Sequence, residues 1–184
     1  LVSSFLTHIM QRYGTEAVVQ WRFSVWNQPD TDTNLYGFDR PDDFFLFYKA
    51  TYKCVKKISS DLVFCLPPTF YVVDDHYDNW YLAFLEKCRK HQCLPDCLNF
   101  TYYETKLHTN ENNSKKSFGF VYTMSLSENP DGLKDFVMQV TRERKKLGLG
   151  QMPIYLTEWN NTPSQQDLLN DTCFKSCYIV KNIL

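Results

Sequence analysis

Two short segments place a carboxyl-sized side chain beside an aromatic residue and an amide. Trp26-Asn27-Gln28-Pro29 follows the strand-like run Trp21–Val25, and Thr157-Glu158-Trp159-Asn160 follows Ile154–Leu156. Saccharide sites need a ring that stacks on the sugar and polar groups that bind its hydroxyls. The two segments therefore predict such a site, provided that the fold brings them together.

Helical and strand-like segments alternate along the chain and supply the elements that must position these residues. The predicted helices are Thr7–Val19, interrupted or ended near Gly14, then Asp42–Ser60, Asp78–Gln92, Gly132–Leu147 and Asp171–Leu184. The predicted strands are Trp21–Trp26, Leu62–Leu66, Cys97–Tyr103, Phe118–Met124 (a strand or a hairpin arm) and Pro153–Thr157. The polar stretch Thr105–Lys116 predicts a loop.

Strand-then-helix units in series imply parallel strands joined by right-handed crossovers, in a doubly wound sheet or a barrel. In a barrel the reactive groups project from the carboxyl ends of the strands, where both segments above fall. A complete eightfold barrel takes about 250 residues, and this chain has 184. We therefore predict one α/β domain over residues 1–184, part of a barrel and a fragment of a longer chain.

The composition argues against several other classes of protein. The chain is 43% hydrophobic with a formal net charge of -1, which favours a globular domain over disorder. Its basic run Arg142–Lys146 has the pattern of a solvated helix face, so direct nucleic-acid contact is not expected. No stretch approaches the roughly 20 apolar residues of a membrane span.

The seven cysteines lie in apolar stretches and are interpreted as reduced core thiols. Cys88, His91, Cys93 and Cys97 do not match the spacing of a zinc site, so neither a metal nor another cofactor is expected. The sequons at Asn99, Asn112, Asn160 and Asn170 would matter only in a secreted protein. Reduced thiols favour a cytoplasmic location.

The two segments resemble signatures of one enzyme family. Trp-x-Phe-x-Val-Trp-Asn-Gln-Pro at Trp21–Pro29 resembles the strand-four signature of glycoside hydrolase family 39, the beta-xylosidases and alpha-L-iduronidases, whose Asn-Glu-Pro carries the general acid/base. Leu-Thr-Glu-Trp-Asn at Leu156–Asn160 is similar to the strand-seven signature, whose glutamate is the nucleophile. Leu62–Pro68 and Asn170–Thr172 resemble the family's strand five and the segment after strand seven. The resemblance implies strands four to seven of a TIM (β/α)8 barrel, with their helices.

Several positions depart from the family's pattern. Gln28 stands in the acid/base position and has no proton to give near neutral pH, and Ser24 stands where the family usually has a second glutamate. Cys65-Leu66 replaces glycines of strand five, and Glu104 falls where relatives carry a histidine. Loss of a positioned acid typically lowers a rate by roughly 10² to 10⁴. The resemblance thus implies an impaired glycosidase.

The resemblance assigns roles to individual residues. Glu158 takes the nucleophile position and Gln28 the non-titratable acid/base position. The predicted substrate-binding residues are Trp26, Asn27, Tyr103, Glu104 and Trp159. Glu104 is also an alternative candidate for a relocated acid. Tyr71, His76 and Tyr77 form a loop that either reaches the pocket or anchors packing.

Three functions remain open on the sequence. The first is a carbohydrate-binding domain, for example the sugar-sensing part of a larger cytoplasmic protein such as a transcriptional regulator. The second is a retaining beta-xylosidase with Glu158 as its nucleophile, acting on a small xyloside or uronide. The third is an assembly fragment that self-associates or binds the missing strands of its parent chain, because an open half-barrel has unpaired strand edges.

Overall fold

The structure, a computed structural model, describes residues 1–30, 41–70, 80–109, 122–127, 129–161, 168 and 171–183. Within these ranges the helices are α1 (Val2–Tyr13), α2 (Thr15–Val18), α3 (Pro41–Ile58), α4 (Trp80–Lys90), α5 (Gly132–Lys146) and α6 (Cys173–Ile183). The strands are β1 (Arg22–Phe23), β2 (Val63–Phe64), β3 (Thr69–Phe70), β4 (Leu98–Tyr103), β5 (Thr105–Thr109), β6 (Tyr122–Leu126) and β7 (Ile154–Asn160). Tyr71, His76, Tyr77, Asn112 and Asn170 lie outside the described residues.

The parallel strands pair in the order in which they occur along the chain. β1 pairs with β2, β3 pairs with β4, and β4 pairs with β7, all in parallel. An isolated parallel bridge between Cys65 and Cys97 joins the β2 segment to the start of β4. The helices between these strands make the crossovers that parallel pairing requires. The protein is therefore an α/β fold, as predicted.

One face of this sheet, called the helix face, packs against the helices. Phe100 makes edge-on contacts with Tyr81 of α4 and Phe136 of α5, and Phe64 lies against Tyr48 of α3. These five side chains are at most 2% exposed. Truncating a buried phenylalanine to alanine typically costs about 3–5 kcal/mol. Aromatic packing on the helix face therefore holds the strands in place.

The opposite face, called the site face, carries Arg22, Tyr103 and Tyr155. Arg22 on β1 donates a hydrogen bond from Nε to the hydroxyl of Tyr155 on β7, at 3.2 Å. Two strand positions lie between β1 and β7, one occupied by β2 and then β3 and the other by β4, which is a separation of about 14 Å in a flat sheet. Because side chains stand roughly perpendicular to a sheet, this contact indicates that the sheet curves toward the site face.

The helix limits follow from local sequence. α1 ends at Tyr13 because Gly14 has φ of 85°, a conformation that favours glycine, and its N–H caps the carbonyl of Met10. α3 begins with Asp42 and Asp43 in its first turn, where acidic residues stabilise the positive end of the helix dipole. The predicted interruption near Gly14 is confirmed.

Several predicted limits were wrong. Thr105–Thr109, predicted as a loop, is strand β5, which pairs in antiparallel fashion with β6. Polar residues can form this hairpin because the ladder joins backbone N–H and C=O groups, which every residue here has. The short strand β3 was missed, since Pro67 and Pro68 were interpreted as the end of a strand. α1 also begins at Val2, five residues before the predicted start.

The interpretation of all seven cysteines as reduced thiols was also wrong. Cys65 and Cys97 form a disulfide between neighbouring parallel strands, whereas the five other cysteines are free. The disulfide removes Cys97 from the group of possible metal ligands with Cys88, His91 and Cys93. It also removes the argument that placed the chain in a reducing compartment. Within the described ranges, no helix has both the length and the apolar character needed to cross a membrane.

Candidate functional site

A bulge in β7 decides which way Glu158 faces. Phe100 of β4 pairs with Leu156, but the next residue, Thr101, pairs with Glu158, so that Thr157 is an extra residue on β7. Side chains alternate between faces along a strand, and one extra residue reverses that alternation. Leu156 therefore lies on the helix face opposite Phe100, whereas Glu158 lies on the site face.

Glu158 is held by a neighbouring tyrosine on the site face. The hydroxyl of Tyr103, the last residue of β4, donates a hydrogen bond to Oε1 of Glu158. Burial raises the pKa of Tyr103, and the bond to Glu158 raises it further, so the hydroxyl keeps its proton. Its ring stacks on that of Phe70 at the end of β3, with 6.0 Å between ring centroids and 28° between planes. A carboxylate is thus held at the carboxyl end of β7.

The loop that carries Gln28 is fastened to the end of β3. The backbone N–H of Gln28 donates to the carbonyl of Pro68 at 2.8 Å. Two residues further on, the backbone N–H of Phe70 donates to Oδ2 of Asp30 at 3.0 Å. Trp26 and Gln28 have φ of 70° and 45°, in the left-handed region that non-glycine residues rarely occupy. Such strain persists where surrounding contacts over-determine the backbone, often at functional sites.

These contacts connect the two segments that the sequence singled out. The Gln28 loop contacts β3, the ring of Phe70 on β3 stacks on Tyr103, and Tyr103 binds Glu158. Each member of this series lies at the carboxyl end of a parallel strand or in the loop that follows it. Parallel strand ends of an α/β protein meet at one edge, which is where such proteins bind ligands.

Trp26 and Asn27 lie on the surface beside this edge. Trp26 is 39% exposed, and its ring meets Phe47 of α3 edge-on with 6.0 Å between centroids. Asn27 is exposed as well. A partly exposed ring beside an exposed amide leaves both groups able to contact a ligand.

The structure places Trp159 away from Glu158. Its ring contacts that of Tyr178 in α6, with 6.0 Å between centroids. Its partner across the ladder is Tyr102, which stacks on Phe136 of α5. The side chain of Trp159 therefore belongs to the helix face and packs against helices.

Glu104 is likewise directed to the helix side, at the start of α5. It is 6% exposed, and its carboxylate accepts hydrogen bonds from the side chains of Tyr102 and Ser127 and from the backbone N–H of Leu133. Burial raises the pKa of Glu104, although these bonds and Lys181 act in the opposite direction. A carboxylate at a helix N-terminus is stabilised by the helix dipole. The structure brings Glu104 to α5 and not to Glu158.

Two residues of this edge were missed from the sequence. Phe70 was missed because Pro67 and Pro68 were interpreted as the end of a strand, so the short strand β3 was not predicted. Asp30 follows Pro29 directly and could have been noticed as an acidic residue adjoining the Gln28 segment. Nothing in the pattern indicated that its side chain turns back to bind the backbone of β3.

The parallel sheet with crossover helices and an acidic side chain at a strand end defines an α/β protein with a candidate ligand site at this edge. The chain belongs to glycosyl hydrolases family 39, whose profile matches residues 1–184. The resemblance predicted from Trp21–Pro29 and Leu156–Asn160 is confirmed at the level of the family.

Two beta-xylosidases are similar to this chain in sequence. The one from Caldicellulosiruptor saccharolyticus is 27% identical over 185 residues, and the one from Geobacillus stearothermophilus is 25% identical over 181 residues. These alignments cover 100% and 98% of this chain but 34% of each relative. The chain thus spans about a third of the length of these relatives.

Solved structures show the same fold. A monomeric beta-xylosidase from Caulobacter crescentus CB15 superposes with a TM-score of 0.80 at 25% identity, covering 99% of this chain and 34% of that chain. The family 39 enzyme from Xanthomonas axonopodis pv. citri gives a TM-score of 0.77 at 25% identity, covering 97% of this chain and 33% of that chain. The fold is that of a TIM-barrel family.

Proposed function

We propose that this chain binds a small saccharide of the xyloside or uronide class between the Gln28 loop and Glu158, and that glycosidase chemistry there is impaired. The observation that carries the proposal is the hydrogen bond from Tyr103 to Glu158, which holds a carboxylate at the end of β7. The residue at the corresponding position after β1 is an amide, Gln28. In this proposal, the chain contributes strands four to seven of the barrel.

The chemistry follows from the two side chains. A retaining glycosidase needs two carboxyl groups about 5–5.5 Å apart, one attacking the anomeric carbon and the other giving and then taking a proton. Glu158 takes the first role. Gln28 can donate an amide hydrogen bond to the glycosidic oxygen but cannot release a proton to it. Natural glycosides, which have poor leaving groups, are therefore bound but cleaved slowly.

Neither Trp159 nor Glu104 is assigned to the sugar in this proposal, because both contact helices. Trp26, Asn27 and Tyr103 are left as the saccharide-binding residues. Trp26 supplies the stacking ring, and Asn27 supplies the amide for a hydroxyl. Tyr103 acts mainly through Glu158.

Calorimetric titration with xylose, xylobiose and glucuronic acid tests the binding function. We expect binding of at least one of them by the purified protein and a loss of most of that affinity in Trp26→Ala. A protein that binds none of the three would contradict the proposal. A sensing role in a larger regulatory protein is one form of the same proposal and needs this binding as well.

A retaining beta-xylosidase is the second candidate, favoured by the orientation of Glu158 by Tyr103. An aryl xyloside with a good leaving group needs little acid, so we expect a burst of phenolate and a covalent adduct on Glu158. Gln28→Glu should increase turnover of a xyloside with a poor leaving group by roughly 10² to 10⁴, because it restores the proton donor. If neither the wild type nor Gln28→Glu releases product from either xyloside, this candidate is rejected.

Self-association is a further part of the proposal. Phe174, Val180 and Ile183 of α6 are 38%, 53% and 68% exposed, and α6 has no buried residue. Exposed apolar side chains on one helix favour association. Light scattering should therefore give a mass above 21.8 kDa, the mass of one chain. A stable monomer would contradict this part.

A further inference from the structure

Asp30 carries a contact that the proposed function does not use. Its Oδ2 accepts the backbone N–H of Phe70 at 3.0 Å, next to the bond from Gln28 N–H to the carbonyl of Pro68 at 2.8 Å. The two bonds are two residues apart on both segments, as in a strand ladder. The carboxylate of Asp30 thus takes the place of a main-chain carbonyl and joins the loop after β1 to β3.

Part of the Asp30 carboxyl group is buried without a polar partner in the part of the chain that the structure describes. Its Oδ1 is shielded from solvent and has no hydrogen-bond partner among the described residues. Burial raises the pKa of Asp30 to about 7, against the effect of its hydrogen bonds to backbone N–H groups. Burying a carboxyl group in this way is costly, so its bond to Phe70 must offset part of that cost. Removing the side chain leaves Phe70 N–H without its acceptor.

We propose that Asp30 is a positioning residue of the site: its side chain fixes the strained backbone of Gln28 against β3 and the ring of Phe70 beneath Tyr103. This inference rests on the proposed function for its consequence in ligand binding. Asp30 acts on the Gln28 loop directly and on Glu158 indirectly, because Phe70 stacks on Tyr103 and Tyr103 binds Glu158. The left-handed conformation of Gln28 persists because the loop is tied down on both sides of Pro29.

Asp96 provides a matched control. Its Oδ2 accepts the backbone N–H of Phe64 on β2 at 2.7 Å, which is the same kind of bond but at the end of the sheet opposite to Glu158. Asp96 also binds Lys56 at 2.8 Å. Both Asp30→Ala and Asp96→Ala should therefore lower the free energy of unfolding. Only Asp30→Ala should also disturb the geometry of the site.

The test combines hydrogen exchange with calorimetry, at a temperature where every variant is folded. We expect the amide of Gln28 to exchange at least about tenfold faster in Asp30→Ala, because a bond to a carboxyl group is lost. Affinity for the saccharide that the wild type binds should fall about tenfold. Asp30→Asn keeps an oxygen acceptor for Phe70 N–H. Its Gln28 exchange rate and its saccharide affinity should both lie within about threefold of the wild type. Asp96→Ala should leave both unchanged.

Exchange at Gln28 that is equally fast in Asp30→Ala and the wild type, or equally accelerated in Asp96→Ala, would overturn the inference, whether or not a saccharide binds. A wild type that binds no saccharide, with fast exchange only in Asp30→Ala, would reject the proposed function and leave the positioning role intact. Unchanged affinity in Asp30→Ala despite fast exchange would show that Gln28 needs no positioning, and would also overturn it.

Discussion

The hydroxyl of Tyr103 donates a hydrogen bond to the carboxylate of Glu158 across two neighbouring parallel strands. The bond exists because the extra residue Thr157 turns Glu158 to the site face, and because Phe70 supports the ring of Tyr103. A hydrogen bond to a charged group contributes about 1.5–3 kcal/mol. It fixes the direction in which the carboxylate points.

Tyr103→Phe should slow the phenolate burst from an activated aryl xyloside by at least about tenfold, because Glu158 loses the donor that orients it. Stopped-flow absorbance measures the burst. Tyr155→Phe is the control, since that hydroxyl lies on the same face but binds Arg22. A burst as fast in Tyr103→Phe as in the wild type would show that the bond does not orient the nucleophile.

Gly132→Ala should lower the free energy of unfolding by about 1–3 kcal/mol through overpacking. A Cβ at this position would overlap both carboxylate oxygens of Glu104. The carboxylate cannot move freely, because it is buried and bound by Tyr102 and Ser127. Urea unfolding measures the change.

Glu104→Ala provides the reference for that prediction. Once the carboxylate is gone, Gly132→Ala should cost little, so the two substitutions should be strongly non-additive. Additive changes in the free energy of unfolding would mean that Glu104 does not occupy the space above Gly132.

Asp30→Asn should change how stability depends on pH. The folded protein holds the Asp30 proton up to a pKa of about 7, whereas the unfolded chain releases it near 3.8. Between these values the folded state binds more protons, so this residue's contribution to stability falls as pH rises. The difference in free energy of unfolding, Asp30→Asn minus wild type, should therefore grow by about 2–4 kcal/mol from pH 4 to pH 8. A difference independent of pH in urea titrations would contradict the raised pKa.

Reduction of the disulfide between Cys65 and Cys97 should destabilise the protein. The disulfide joins residues 32 positions apart, and closing a loop of that size typically contributes about 3–4 kcal/mol. Thermal unfolding with and without a phosphine reductant measures the loss. Cys65→Ser/Cys97→Ser should unfold at the same temperature with and without reductant, whereas a reductant effect that persists in this variant would assign it to other cysteines.

Mass spectrometry after alkylation gives an independent check on the same bond. We expect five alkylated cysteines, among them Cys88 and Cys93, in the unfolded and unreduced protein. Seven would mean that the disulfide is absent.

The sequence by itself determined the family, the α/β class and which side chains stand at the two strand ends. Gln28 and Glu158 stand in short motifs whose residue types carry the information, so neither needs a fold to be recognised. Amphipathic spacing gave helices such as α3 (Pro41–Ile58) to within two residues, because a long apolar stripe has one stable solution.

Only the tertiary structure decided which side chains share a face. Side chains along a strand alternate between the two faces of the sheet. One extra residue at Thr157 therefore places Glu158 beside Tyr103 and Trp159 beside Tyr178. A bulge leaves no mark in residue types, because it depends on the register between strands. The turn of Asp30 toward Phe70 and the pairing of Cys65 with Cys97 are contacts between distant segments, and no local pattern specifies them.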